Sequence, residues 1–88
     1  MYRVRWKKSA VNDLTIFWLA ADSTMRKAIS QASHRMEKEL ARDPENVGES
    51  REGSDRVHND FPLGILFQVD TTDRIVRVLQ VWLFKKRS

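Results

Sequence analysis

The sequence predicts an α+β domain in the order β-α-α-β-β-β, with a helical hairpin packed on one face of a mainly antiparallel four-stranded sheet. Three observations predict it. The start alternates strictly, with Tyr2, Val4 and Trp6 on one side and Arg3 and Arg5 on the other, as a half-buried strand does. Two apolar stripes at helical spacing follow, separated by a short polar break at Asp22-Ser23-Thr24. The C-terminal third then carries short apolar runs bounded by turn residues.

Each element has its own signal. Ala10, Leu14, Phe17 and Ala21 recur every three or four residues, which predicts a helix over residues 10–21 with Ser9 as its N-cap and Asp13 in its first turn. Met25, Ile29, Ala32, Met36 and Leu40 mark the stripe of a second helix. Asp43-Pro44 should stop it, because proline disfavours the helical conformation in the residue before it. Two helices joined by so short a turn form an antiparallel pair and bury their stripes on a sheet face. Residues 44–55, PENVGESREGSD, hold two glycines and four acids against one arginine and read as a loop of a length that often carries function. Arg56 to Asn59 reads as a short strand, residues 60–64 as a turn, and Ile65 to Val69 as an apolar strand. Thr71-Thr72-Asp73 makes a tight connection into the last strand.

That last stretch, DRIVRVLQVWLFKKRS from Asp73 to Ser88, is apolar at both parities. Ile75, Leu79, Val81 and Leu83 share one parity; Val76, Val78, Trp82 and Phe84 share the other. A strand apolar on both sides wants cover on both faces, and a chain of 88 residues has little material for a second layer, burying roughly 60–65% of its extended surface. The expectation is that Val76, Val78, Trp82 and Phe84 meet another polypeptide.

Composition narrows the classes. Eighty-eight residues make one domain, 1–88, and 32% charged against 41% hydrophobic residues is a globular balance. No apolar run approaches the ~18 residues of a membrane span and no signal-peptide pattern opens the chain, so no membrane partner is expected. Cysteine is absent, which removes disulfides and thiolate metal sites and fits a cytoplasmic setting. Sixteen basic residues outnumber twelve acidic ones, and the cations gather at both ends, the footprint of an anionic partner if the ends meet. On charge alone, solvation of strand ends and an edge is the better account of them.

No phosphate-cradling glycine loop, nucleophile elbow or ligand-spaced histidine pair is present, so neither metal nor cofactor is expected. His34 sits among polar neighbours and is read as solvated. The remaining chemistry is cationic: Arg51, Arg56, Arg74, Lys85, Lys86 and Arg87, plus His58. Arginine forks bind phosphate oxygens in pairs, and His58 would be the general acid or base of such a set. Trp82 would stack an unpaired base or pack on a partner, and Phe84 would pack on a partner or in the core.

The order of elements, the opening Y-R-V-R-W-K-K-S-A-x-x-D-L, the G-x-L-F-Q-V strand and the closing V-x-Q-V strand followed by cations resemble the RelE/ParE superfamily of toxins from type II toxin–antitoxin pairs, over almost the whole chain. The resemblance implies a small cytoplasmic toxin neutralised by an antitoxin whose extended or helical segment covers it, and places the first strand beside the last. It implies one of two targets: the ribosome, where RelE-like members cut messenger RNA through the 2′-hydroxyl, or DNA gyrase, which ParE-like members poison.

Carried over residue by residue, the family's basic residue on the first strand of the meander falls on Arg56, with His58 as a second and Lys85 as a substitute cation, so that catalysis, where it exists, would rest on these three. Arg51, Arg74, Lys86 and Arg87 would contact nucleic acid. The arginine of the family's Y-R pair falls on Gly64, and the one after its last strand falls on Phe84. Losing one charge-stabilising contact commonly costs on the order of 10²-fold in rate, so two such losses argue against efficient RNA cleavage. Two rival readings remain: a non-catalytic small basic module that binds RNA or protein, and a degenerate toxin that retains only its antitoxin-binding surface.

Overall fold

The computed structural model describes residues 1–84. In chain order the elements are β1 (Arg3–Trp6), α1 (Lys8–Ala20), α2 (Ser23–Arg42), a single 3-10 turn (Pro44–Asn46), β2 (Glu49–Ser50), β3 (Asp55–Asp60), β4 (Leu63–Asp70) and β5 (Ile75–Leu83). The sheet has five strands rather than the four expected, in the order β1-β5-β4-β3-β2. β1 runs parallel to β5 and every other pair is antiparallel. The extra strand, β2, lies inside the segment that reads as loop, which also holds the 3-10 turn.

The helices start and stop for different reasons. α1 begins at Lys8 with Lys7 as its cap residue and no side-chain cap bond, so Ser9 does not cap it. The backbone N–H of Lys7 still donates to Val78 at 2.8 Å while its carbonyl accepts from Val11, so the chain passes from sheet to helix within one residue. At the far end Arg26 donates from Nε to the carbonyl of Trp18 and from Nη2 to that of Leu19, at 2.9 and 3.1 Å. Its guanidinium lies 4.4 Å from the Trp18 ring centroid. One arginine on α2 thus bonds two carbonyls where α1 ends, that of Trp18 also accepting from the N–H of Ala21. α2 is capped by Asp22, whose carboxylate accepts from the N–H of Met25 at 2.8 Å, and it ends before Pro44.

The core lies between the hairpin and one face of the sheet. Ile29, Ala32, Met36 and Leu40 of α2 are at most 1% exposed, as are Ala10, Leu63, Ile65, Phe67, Val76 and Val78. Tyr2, and Val4 and Trp6 of β1, pack against this cluster. The alternation in β1 and the stripe of α2 therefore point inward as their periods require.

β5 departs from simple parity. The register steps from Leu66↔Gln80 to Phe67↔Val78, so Leu79 is an extra residue with no partner in β4. A bulge of this kind flips the facing of everything after it. Val76 and Val78 before the bulge and Val81 and Leu83 after it all join the core. The opposite face receives Ile75 and Arg77, then Gln80 and Trp82. The double apolar parity of the last strand is a phase shift and not a demand for cover on both sides. Val76 and Val78 are 0% exposed, so the expectation that they meet another chain is corrected: their contacts are with the domain's own helices.

Candidate binding face

The sheet face away from the helices is the open one. Among the described residues no element packs on it. Strand register assigns its occupants: Arg3 and Arg5 from β1, Ile75, Arg77, Gln80 and Trp82 from β5, and Gly64, Leu66, Gln68 and Asp70 from β4. Arg5 and Arg77 are register partners, two like charges side by side, an arrangement that is unfavourable without an anion nearby. The nearest acid, Asp70, reaches only Nη1 of Arg77, at 3.8 Å.

Trp82 is the aromatic centre of this face. Its partner across the ladder is Gly64, and a Cβ at Gly64 would collide with Nε1 and Cε2 of the indole and with Oδ1 of Asn59. Gly64 is buried because the ring lies over it. A cleft of about 440 Å³ adjoins the ring, lined by Lys7, Ser9 and Asp13 on one side and by Leu66 and Leu79 to Trp82 on the other. A second cleft of about 280 Å³ is lined by Arg5, Trp6, Lys7, Arg77 and Leu79. The two share Lys7 and Leu79 and run together along the β1–β5 boundary.

Two of the cations expected to do chemistry lie elsewhere. Arg56 pairs with Phe67 and His58 with Ile65, both core residues, so both side chains project to the helix side. Arg56 is held there by three bonds: Nε to the carbonyl of Val47 at 3.0 Å, Nη1 to Oγ of Ser50 at 2.8 Å and Nη2 to the carbonyl of Gly48 at 3.1 Å. It clamps the connection between the 3-10 turn and β2. His58 faces Glu39 of α2 at 3.7 Å. Beside it Arg35 binds Asp60 through two bonds of 2.9 Å, which hold the Asp60 carboxyl below its ordinary range against the opposing pull of partial burial.

The other expected residues scatter. Arg51 pairs with Glu49 at 3.2 Å in the turn between β2 and β3. Arg74 sits in the β4–β5 turn with φ of 54°, its guanidinium 5.9 Å from the Tyr2 ring centroid. Phe84 is 36% exposed just past β5, and its N–H donates to the carbonyl of Pro62 at 2.8 Å. Lys85, Lys86 and Arg87 lie outside the described residues. The structure therefore does not bring Arg56, His58, Arg51 and Arg74 into one site. It does bring together Arg5, Lys7 and Arg77, none of which was among the expected site residues. The strict alternation of β1 already carried the signal for Arg5.

Among the described residues no helix is long and apolar enough to cross a membrane, and no cluster of three or more histidine, cysteine or carboxylate side chains has the grouping of a metal site.

No protein-family model matches the chain, and no curated protein does. Solved structures do. The RelBE2 toxin–antitoxin complex of Mycobacterium tuberculosis contains a chain similar at 21% identity, with a TM-score of 0.72 over 93% of this chain and 90% of that one. A chromosomal ParDE system of P. aeruginosa gives 19% identity and a TM-score of 0.72, covering 97% and 98%. The isolated RelE toxin of E. coli gives 15% and 0.67, covering 100% and 89%. The hairpin on a mixed sheet, with the first strand parallel to the last, is the fold of the RelE and ParE toxins.

Proposed function

We propose that this chain is the toxin of a type II toxin–antitoxin pair, neutralised by a cognate antitoxin, and that it stops growth by occupying its target instead of cutting RNA. The observation that carries the first half is the fold, matched over nearly the whole chain to toxins solved both free and in toxin–antitoxin complexes. The second half is supported by the position of the two candidate catalytic groups. A side chain that stabilises charge or moves a proton must reach the reacting atoms. Arg56 spends its guanidinium on Val47, Gly48 and Ser50, and His58 faces Glu39. Gly64 stands where the family carries an arginine, and Trp82 fills the space above it. A target that is bound, as gyrase is by ParE-like toxins, needs none of these groups.

Induced expression of the chain alone tests the proposal, with and without the product of the neighbouring gene. Growth arrest that the neighbour relieves, with ribosome-bound messages intact by primer extension, is the expected result. Unimpaired growth in both cultures removes the toxin reading and leaves a binding module. Arrest accompanied by cuts within translated codons removes the non-cleaving mechanism.

A further inference from the structure

The charges of α2 are sorted by face. At about 100° per residue, Lys27, Gln31, His34, Arg35, Lys38 and Arg42 fall within one arc of roughly 100°, and all of them are exposed. The arc lies opposite the buried stripe of Ile29, Ala32, Met36 and Leu40. The acids of this helix are Glu37 and Glu39, and both lie off the arc. Glu37 accepts from Nε1 of Trp6 at 2.8 Å, and Glu39 faces His58 at 3.7 Å. Side chains of the sheet thus engage the acids on the flanks and leave an outer ridge of one sign. Arg35 is held by Asp60. Among the described residues Lys27, Lys38 and Arg42 form no ion pair. A merely solvated helix face usually mixes signs at i, i+4 spacing. Arg42 in the last turn suits the helix dipole, but Lys27, near the other end, has no such reason to be there.

Shape and composition say what fits. The ridge carries no aliphatic or aromatic side chain, the anchors on which a protein interface depends. It is convex and runs about 22 Å from Lys27 to Arg42 at about 1.5 Å per residue. A trough of about 500 Å³ flanks its C-terminal half, lined by Arg35, Lys38 and Arg42 against Glu39 and Asp60. We propose that this ridge seats on the phosphate backbone of double-stranded DNA, in the mouth of the major groove, without reading sequence. A helix about 10–12 Å across matches a groove about 12 Å wide, whereas the major groove of A-form RNA is too deep and narrow for side chains to read. α1 lies alongside α2 and limits the depth of entry. Lys27, Lys38 and Arg42 therefore meet phosphates and not base edges, with Gln31 as an uncharged donor between them. This surface lies away from the open sheet face and goes beyond the antitoxin reading without depending on it.

Fluorescence anisotropy of a labelled DNA duplex of arbitrary sequence, titrated with the whole chain, tests it. With Lys27, Arg35, Lys38 and Arg42 each on a phosphate, affinity should fall by about 100-fold as salt rises from about 50 to about 200 mM. Lys27→Gln, Lys38→Gln and Arg42→Gln combined should reduce that fall to about 3-fold, with the circular dichroism spectrum unchanged. Two duplexes of different sequence should bind alike. A chain that leaves the duplex free at about 50 mM salt overturns the site. A triple variant that keeps the salt dependence of the unchanged protein places the DNA elsewhere on the chain and overturns the ridge. Tighter binding of an RNA duplex of the same sequence overturns the choice of DNA, and displacement by polyglutamate at equal charge overturns the choice of a nucleic acid. The toxin reading stands or falls separately, on growth arrest and its relief.

Discussion

The indole of Trp82 lies over Gly64, and the space it fills is the space a side chain at residue 64 would need. The pair explains why a glycine is buried in the middle of β4, a place where glycine otherwise weakens a strand. Gly64→Ala should destabilise the fold by about 1–3 kcal/mol through overpacking. Gly64→Arg, with its longer side chain, should cost at least as much. In a Trp82→Ala background the same Gly64→Ala substitution should cost less, since the indole is one of the two side chains in its way, Asn59 being the other. Urea denaturation of these variants checks both statements.

Arg56 behaves as a clamp. Arg56→Ala removes three hydrogen bonds to residues 47–50 and should lower stability by about 1–3 kcal/mol. It should also expose the segment around Gly48 to limited proteolysis before the rest of the domain. Arg56→Lys should rescue little, because one ammonium lacks the planar fork that reaches three separate acceptors. A loss of growth arrest in Arg56→Ala that tracks the loss of folded protein would mark the residue as structural.

The Arg35–Asp60 pair makes stability depend on acid. The folded-state pKa of Asp60 is lowered, chiefly by its hydrogen bonds from Arg35. Its stabilising contribution is complete above the unfolded value of about 4 and is lost as pH falls through the lower folded value. Asp60→Asn should therefore reduce the melting temperature at pH 7, and the difference from the unchanged protein should shrink as the buffer is taken down towards pH 2. With both side chains partly exposed, the effect at pH 7 should be modest.

Deleting Leu79 tests the phase shift in β5. Without the extra residue Gln80 follows Val78 directly, the pairs Phe67↔Val78 and Leu66↔Gln80 join in an unbroken ladder, and Val81 and Leu83 still face inward. The deletion should therefore retain cooperative thermal unfolding. Inserting one alanine between Val81 and Trp82, which turns Trp82 inward and Leu83 outward, should weaken it, since a buried aliphatic side chain so displaced forfeits roughly 1.5–3 kcal/mol.

The contrast between these residues shows what could be read from the chain. β1 and α2 were legible because local period and burial agree: Val4, Ile29, Met36 and Leu40 all point where their spacing says. The stop at Pro44 and the polar break at residues 22–24 are local chemistry and read equally well. β2 was not legible, since two polar residues become a strand only because Arg56 reaches across to hold residues 47–50. The facing of Val76, Val78 and Trp82 was misread because parity counting assumes an unbroken ladder, and a bulge leaves no mark in composition. The candidate site was illegible for a different reason: residue type and family likeness pointed to Arg56 and His58 but do not fix a strand's facing, and their register partners, Phe67 and Ile65, put them on the helix side.

The pairing of β1 with β5 also governs when this protein can exist. The strand made first is held by the strand made last, with Arg3 in register with Ile75. During synthesis, at roughly 5–20 residues per second, Tyr2, Val4 and Trp6 wait without a neighbour until nearly all of the chain has been polymerised. A translation product that terminates before Ile75 cannot close the sheet at all. Any activity of the folded domain is thereby confined to copies that carry β5, and abandoned fragments are left to proteases.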